Sequence, residues 1–257
     1  MVTRTSQERF RTEHGVFDTF TKRNLFEMQS KKIFDDIIGP LEVGKESNVF
    51  VAKKVSDKPK KAQTKKDQKS LTGKEKVIIK IYRVQNADFK RMFQYIKQDP
   101  RYDFLKNKRR EIIFAWTQRE YKNLLRAQKG KVRVPKALSW KYNIIIEEFI
   151  GDEEAAPPLK DAYPDEPEKF LKEIIRQMNL LYKCGLVHGD LSAFNILNFN
   201  ETPVLIDFSQ STLVRTPNSL ELLERDVKNV LQFFRKLGVK ADFEKTLQKI
   251  KKVPTKR

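Results

Sequence analysis

The chain has 257 residues, enough for one large domain or two small lobes that each bury a core. Its net charge of +19 predicts a positive field that attracts polyanions, so RNA, DNA and nucleotide phosphates are candidate partners; a lysine-rich surface without such a partner is the alternative. The single cysteine, Cys184, excludes an internal disulfide framework, and no apolar stretch approaches the ~20 residues of a membrane span. These features predict a cytoplasmic protein without a membrane segment.

The hydrophobic period of the chain changes at Gly39-Pro40. Before this point, residues 1–38 carry apolar side chains at helical intervals, which predicts short helices. After it, β-branched and aromatic runs at 49–51 and 77–81 predict two strands. The segment between the strands, Lys53–Lys76, is mostly Lys, Gln, Asp, Ser and Thr, and we expect it to form a mobile basic loop.

A long helical pattern at Arg109–Gln128 follows a charged segment. Behind this helix, Val132–Val134 and Tyr142–Phe149 predict a second pair of strands. The stretch Gly151–Pro167 is rich in Pro, Asp, Glu and Ala, which predicts a linker between two lobes.

Two further helices are predicted beyond the linker, at Phe170–Tyr182 and Leu220–Lys236. The basic tail, Lys249–Arg257, is expected to fray. The predicted divisions of the chain are a helical extension, an N-lobe and a C-lobe, at residues 1–38, 39–150 and 151–257.

Two segments supply the acidic and amide groups that phosphoryl transfer requires. The run LVHGDLSAFNIL at 186–197 matches the pattern H-x-D-L-x-x-x-N, in which a loop directs Asp190 at a substrate and Asn195 at a metal ion. Residues 203–208, PVLIDF, predict a buried strand that ends in Asp207, a second carboxylate able to bind a metal ion.

Lys80 lies in the middle of an apolar strand, where an unpaired ammonium group is costly, so an anion is expected to meet it. Glu120 on the long helix is the preferred partner, with Glu111 on the same helix as the alternative. His188 is expected to brace the backbone of the loop at 186–197 and not to act as a base. Asp226 is either an anchor of that loop or an ordinary acidic residue near a helix N-terminus.

The loop at 41–50, LEVGKESNVF, lies between two strand signals, where backbone amides can approach a nucleotide. It has one glycine, Gly44, so the pattern G-x-G-x-x-G is absent. Taken alone, this motif is weak.

With these residues together, the chain resembles the RIO family of atypical serine/threonine kinases, and within it the first branch, of archaeal type. The resemblance extends from about Phe17 to Lys236. The sequence FSQS at 208–211 favours the first branch. The most specific segments are GKESNVF at 44–50, IIKIYR at 78–83, YIKQDPRY at 95–102, WTQREYKNL at 116–124, EFIGDEEAAPPLKD at 148–161, HGDLSAFNIL at 188–197 and IDFSQS at 206–211.

The resemblance implies an α+β fold of the two-lobed protein-kinase type, with a small antiparallel sheet in the N-lobe, a helical C-lobe and extra N-terminal helices. It implies that Asp190 is the aspartate at the catalytic-base position, that Asn195 and Asp207 bind metal, and that Lys80 contacts the phosphates and pairs with Glu120. Adenine would be held by backbone groups of Glu148 and Ile150. The phosphate loop would comprise Gly44, Lys45, Glu46, Ser47, Asn48 and Val49.

The resemblance also implies a cofactor and partners. The cofactor would be ATP with Mg²⁺, or alternatively Mn²⁺, and the activity would be autophosphorylation or ATP hydrolysis; no protein substrate other than the chain itself is indicated. The partner would be the maturing small ribosomal subunit and its rRNA, with RNA contacts expected at Lys53–Lys76 and in the C-terminal tail. Two residues depart from the family pattern: Val43 replaces a hydroxyl residue, and Glu147 replaces an apolar gatekeeper in the purine pocket.

Two other functions are compatible with parts of this pattern. Small-molecule kinases of the aminoglycoside or choline type also use an HGDL-x-x-x-N loop, but they usually carry a sizeable acidic insert, whereas this chain is basic and has only 50 residues after Asp207. The second alternative is an assembly factor that binds pre-ribosomal RNA and uses ATP only as a structural ligand. A pure scaffold has no physical need for the whole set Lys80, Asp190, Asn195 and Asp207.

Overall fold

A computed structural model of the chain describes residues 17–55, 72–84 and 88–252. Most of the predicted basic loop, residues 56–71, and the end of the basic tail, residues 253–257, lie outside the described residues. The same is true of residues 1–16, so the helices predicted before Phe17 are not tested. No helix in the described ranges is both long enough and apolar enough to cross a membrane.

The N-lobe is built on a five-stranded antiparallel sheet with the strand order β1-β2-β3-β5-β4. The helices and strands described in this half, in chain order, are α1 (Thr19–Ser30), β1 (Ile37–Val43), β2 (Ser47–Lys53), β3 (Lys76–Tyr82), α2 (Phe89–Lys97), α3 (Arg109–Lys129), β4 (Ala137–Lys141) and β5 (Ile144–Glu148). A short 3-10 turn at Gly73–Glu75 leads into β3, and another at Pro100–Tyr102 follows α2.

The alternation of side chains along β3 gives the sheet two different faces. Val77, Ile79 and Ile81 are buried in an apolar cluster with Leu25 and Met28 of α1. Because successive side chains of a strand point to opposite faces, the residues between them, Ile78 and Lys80, point to the other side of the sheet. That second face lies toward the C-lobe and forms one wall of the cavity described below.

Within the described residues, the C-lobe has three helices and two pairs of short strands. Its helices share one apolar core, in which Ile174 and Met178 of the first helix and Val227 and Phe234 of the second are buried. The elements are α4 (Pro167–Lys183), β6 (Leu186–Val187), β7 (Ile196–Phe199), β8 (Thr202–Leu205), β9 (Thr212–Leu213), α5 (Ser219–Lys236) and α6 (Phe243–Lys251).

The segment between β5 and α4, predicted as a linker, has neither helix nor strand but is held firmly to the C-lobe. Leu159 N donates to Ile196 O at 2.8 Å, and Lys160 N donates to Ala193 O at 3.1 Å. Leu159 is buried in the C-lobe core. This segment therefore forms a wall of the interlobe cavity and is not a free tether.

Three predicted element boundaries are wrong. The helical pattern was expected to reach residue 38, but β1 begins at Ile37 and passes through Gly39-Pro40, where an edge strand tolerates proline because one side needs no ladder hydrogen bonds. Val132–Val134 is not a strand, since Arg133 N donates to the side chain of Gln177 at 2.7 Å, and the strand that pairs with β5 starts at Ala137. Residues 249–251, expected to fray, end α6.

Candidate active site

A cavity of about 540 Å³ lies between the N-lobe sheet and the C-lobe. Its walls come from β1–β3, the end of β5, the segment after β5 and the loop around β7. Of the residues predicted to act in the site, seven line it or its rim: Ser47, Val49, Lys80, Glu148, Ile150, Asn195 and Asp207. Glu147, at the gatekeeper position, lines it as well.

Lys80 links the two lobes at the inner end of this cavity. Its Nζ lies 2.8 Å from Glu120 Oε1 and 3.0 Å from Asp207 Oδ1. Tyr82 adds a hydrogen bond from its hydroxyl to Glu120 Oε2 at 2.6 Å. Burial opposes the charge on Lys80, but Asp207 and Glu120 outweigh it and raise its pKa well above the ordinary value. The predicted partner of Lys80, Glu120, is confirmed, and Glu111 instead pairs with Lys108.

Asp207 adopts a left-handed backbone conformation, with φ of 58°. This conformation is unusual for a residue other than glycine, and such residues are concentrated at functional sites. Burial would raise the pKa of Asp207, but Lys80 and a hydrogen bond from Ser209 N, at 3.3 Å, lower it to about 2. The side chain is therefore a carboxylate at any physiological pH.

The loop at 186–197 places Asp190 beside Asn195. Asn195 Nδ2 donates to the Asp190 backbone oxygen at 2.8 Å and lies 3.4 Å from its Oδ2, which turns the amide oxygen of Asn195 away from Asp190. Gln210 Nε2 donates to the same Oδ2 at 3.1 Å. Burial, followed by the nearby charge of Asp207, raises the pKa of Asp190. A carboxylate with a raised pKa is better able to accept a proton.

Asp226 and His188 fix the backbone of this loop and of the strand end next to it. The two carboxylate oxygens of Asp226 accept hydrogen bonds from Gly189 N and Leu191 N, both at 2.8 Å. His188 Nε2 donates to Ile206 O at 2.9 Å, and burial lowers the pKa of its ring to about 4. His188 therefore braces the backbone as predicted, and Asp226 is the loop anchor and not only a residue near a helix end.

The loop between β1 and β2 is a tight turn at the edge of the cavity. Gly44 N donates to Ser47 O at 2.9 Å, and a Cβ at Gly44 would lie only 2.9 Å from that oxygen, so the position favours glycine. Asn48 does not reach the cavity, because its side chain is buried on the opposite face of β2 and accepts a hydrogen bond from Arg83 Nη2 at 2.8 Å. Lys45 and Glu46 do not line the cavity either.

The segment at residues 148–150, at the end of β5, carries the residues predicted to hold a purine and is called the hinge below. Glu148 uses its side chain to accept hydrogen bonds from Arg133 Nη1, at 3.2 Å, and Lys136 N, at 3.1 Å, which fixes the hinge from outside. Ile150 O accepts a hydrogen bond from Ala156 N at 2.9 Å, so its carbonyl is committed within the protein. Among the described residues, the N–H of Ile150 has no backbone acceptor, so this group is available to a ligand.

Sequence reasoning missed three contributors to the site. Gln210 contacts Asp190 directly, and the only signal for it is its place in the segment IDFSQS. Arg119 and Asn123 of α3 reach across to the segment after Asp207, with Arg119 Nη1 3.4 Å from Ser209 O and Asn123 Nδ2 2.7 Å from Ser211 O. Their spacing of four places both on one helix face.

Comparisons with known proteins agree with this geometry. A family model described as the RIO domain matches residues 48–247. The RIO-type serine/threonine-protein kinase Rio1 of Methanocaldococcus jannaschii is 38% identical over 239 residues, which cover 92% of this chain and 76% of that protein. The protein of the same name from Haloferax volcanii is 33% identical, with coverage of 91% and 76%.

Solved structures show the same fold. The Rio2 kinase from Chaetomium thermophilum superposes with a TM-score of 0.64 at 19% identity, covering 93% of this chain and 72% of that chain. Its complex described as ADP/Mg²⁺-phosphoaspartate gives a TM-score of 0.63 at 20% identity, covering 89% and 65%. The predicted two-lobed kinase fold is confirmed, and the small-molecule-kinase alternative is set aside. The chain belongs to the RIO family and is a RIO-type serine/threonine protein kinase.

Proposed function

We propose that this kinase binds ATP with Mg²⁺ in the interlobe cavity and transfers the γ-phosphoryl group to a serine or threonine hydroxyl, including one of its own. The observation that carries the proposal is the convergence of Lys80, Asp207 and Asn195 in the cavity wall, with Asp190 hydrogen-bonded to Asn195 beside it; the four residues come from three separate segments. Phosphoryl transfer requires mainly positioned charges, and these four side chains supply them.

The nucleotide would lie with its base at the hinge and its phosphates toward Lys80. The Glu148 carbonyl and the Ile150 N–H would hold the purine, and the cavity volume of about 540 Å³ is in the range of nucleotide-sized ligand sites. Ser47 and Val49 of β2 would cover the phosphates on the N-lobe side of the cavity. Glu120 would act through Lys80, whose ammonium group it orients.

The donor set fits a magnesium ion. Asp207 presents a carboxylate, and Asn195 presents an amide oxygen that faces away from Asp190. In the described ranges, no cluster of three or more His, Cys, Asp or Glu side chains could hold a metal ion by itself. Two oxygen ligands from the protein suit Mg²⁺, which is commonly held by one or two protein ligands together with substrate phosphates and water. When bound, the ion would neutralise charge on the phosphates.

Asp190 would orient the attacking hydroxyl and accept its proton. Its raised pKa supports this role, since a carboxylate that holds a proton more readily is a better base near neutral pH. If water takes the place of the hydroxyl, the same arrangement supports ATP hydrolysis. Lys80 would stabilise the phosphates during either reaction.

We propose the maturing small ribosomal subunit and its rRNA as the partner, and the cytoplasm as the place of action. The support is the net charge of +19, which favours binding to a polyanion, together with the resemblance of the motif segments to the first RIO branch. The segments expected to contact RNA, Lys53–Lys76 and the tail, lie largely outside the described residues.

The test follows radiolabelled γ-phosphate from MgATP, both as label on the protein and as free phosphate, with and without small-subunit precursor. We expect Asp207→Ala to abolish both signals, and Glu221→Gln, an exposed acidic residue on α5, to leave them unchanged. Stimulation by the precursor would support the proposed partner. Tight ATP binding without turnover in any condition would contradict phosphotransfer and favour the assembly-factor alternative.

A further inference from the structure

Glu147 is a buried carboxyl group on the wall of the nucleotide cavity. In the register of the sheet it lies opposite Ile78, so its side chain shares a face with Ile78 and Lys80. Only 8% of the residue is exposed, and its Oε1 is buried without a hydrogen-bond partner in the part of the chain that the structure describes. The position directly precedes the hinge residue Glu148.

A buried carboxyl group without a partner is costly when ionised, so it is stable mainly as the neutral acid. The charged groups that face it are Lys80 on β3, Glu120 on α3 and Asp207 after β8. Burial, followed by the negative charge of Glu120, raises the pKa of Glu147 to about 8 despite the opposing effect of Lys80. A neutral carboxyl group offers one hydrogen-bond donor and one acceptor.

We propose that Glu147 selects adenine by reading its N6/N7 edge, with the carboxyl O–H donating to N7 and the carboxyl C=O accepting from the N6 amino group. The inference rests on the proposed nucleotide site. If the Glu148 carbonyl accepts one N6 hydrogen of adenine and the Ile150 N–H donates to N1, the second N6 hydrogen and N7 remain free. That edge faces inward from the hinge, where Glu147 lies.

The same edge explains why guanine would be rejected. Adenine presents a donor and an acceptor there, whereas guanine presents two acceptors, O6 and N7. The single O–H of Glu147 can satisfy only one of them, and its carbonyl oxygen would face the other. An apolar gatekeeper offers no such discrimination, so the replacement of an apolar residue by Glu147 adds a base-specific contact.

The experiment compares the affinities of ATP, GTP and 7-deaza-ATP, in which a C–H group replaces N7, for the full chain with Mg²⁺. Variants Glu147→Met, an apolar gatekeeper, and Glu147→Gln, which keeps one donor and one acceptor, are the matched controls. In the wild type we expect 7-deaza-ATP to bind roughly tenfold more weakly than ATP, because the carboxyl donor loses its acceptor. Glu147→Gln should keep most of this difference, and Glu147→Met should reduce it to about twofold or less.

Two results would overturn the inference: equal affinity of ATP and 7-deaza-ATP for the wild type, or a difference between them that is unchanged in Glu147→Met. Both leave ATP binding intact, so the proposed phosphotransferase would stand. Failure of every nucleotide to bind the wild type would instead refute the proposed site itself. The wild-type comparison needs no variant, so a folding defect in Glu147→Met cannot obscure it.

Discussion

The buried ion pair between Lys80 and Glu120 in the N-lobe offers a direct test of how charge is balanced in the site. The side chain of Glu120 is 1% exposed and that of Lys80 is 10% exposed, so Lys80→Met leaves two carboxylates facing each other without a cation. Removing one partner of a buried pair costs about 3 to 5 kcal/mol of folding free energy. Glu120→Gln keeps an acceptor for Tyr82 and should cost less, about 1 to 2 kcal/mol.

The double variant should be less destabilised than the sum of the single variants, by about 2 kcal/mol, because its second substitution removes a charge that is already unpaired. Urea unfolding followed by the fluorescence of Trp116 and Trp140 measures all four proteins. An exposed pair, Lys169 with Glu166 at 3.1 Å, is the control and should show no measurable coupling. Additivity within about 0.5 kcal/mol for Lys80 and Glu120 would show that the two charges do not stabilise each other.

Three further predictions concern buried titratable groups. Asp226→Asn removes one of two acceptors for backbone amides, so hydrogen exchange of Gly189 and Leu191 should accelerate and phosphotransfer should fall about tenfold or more, with ATP affinity little changed. His188 has a pKa of about 4 against 6.5 for an ordinary histidine, so the unfolded chain gains the proton first as the pH falls. The free energy of unfolding should therefore fall by about 3 kcal/mol as the pH drops from 6.5 to 4, and His188→Gln should not show this loss. Glu147 has a pKa of about 8 against 4.5 for an ordinary glutamate, so the unfolded chain loses the proton first and the folded state loses stability as the pH rises from 4.5 through 8. The free energy of unfolding of Glu147→Met, relative to that of the wild type, should therefore increase by about 3 to 4 kcal/mol from pH 5 to pH 8.

Each of these predictions has a result that would contradict it. Unchanged exchange rates in Asp226→Asn would mean that the two amides do not depend on the carboxylate. Identical pH profiles of unfolding for the wild type and His188→Gln would show that the ring is not held neutral by burial. A constant stability difference between Glu147→Met and the wild type across this pH range would show that the Glu147 carboxyl ionises normally.

The sequence allowed the charged centre of the site to be predicted because each residue carries its own physical constraint. Lys80 is surrounded by β-branched residues of a buried strand, so it requires an anion, and the long helix supplies Glu120 at a buried position. Asp190 and Asn195 are tied by a short loop, so their spacing alone limits where they can point. The strand before Asp207 is apolar enough to be recognised without the rest of the fold.

Other features depend on strand register and tertiary contacts, which local patterns do not contain. Asn48 lies in a motif segment, but its pairing opposite Ile81 turns its side chain to the face away from the cavity. Val132 and Val134 have strand-like side chains, yet they are buried in the C-lobe core without joining the sheet. The helix α6 was missed because its charged residues resemble a solvated tail, whereas the buried side chain of Ile250 and its neighbours attach it to α4 and α5.

In the proposed mechanism, Asp190 acts on the substrate hydroxyl in a site that binds MgATP independently of it. The most direct test is single-turnover phosphotransfer from MgATP by the wild type and Asp190→Asn, with ATP affinity measured on the same samples and Glu221→Gln as the control. We predict that the affinity changes by no more than about threefold, whereas the rate falls at least about a hundredfold, as expected for loss of a general base. An unchanged rate in Asp190→Asn would show that Asp190 is not the general base.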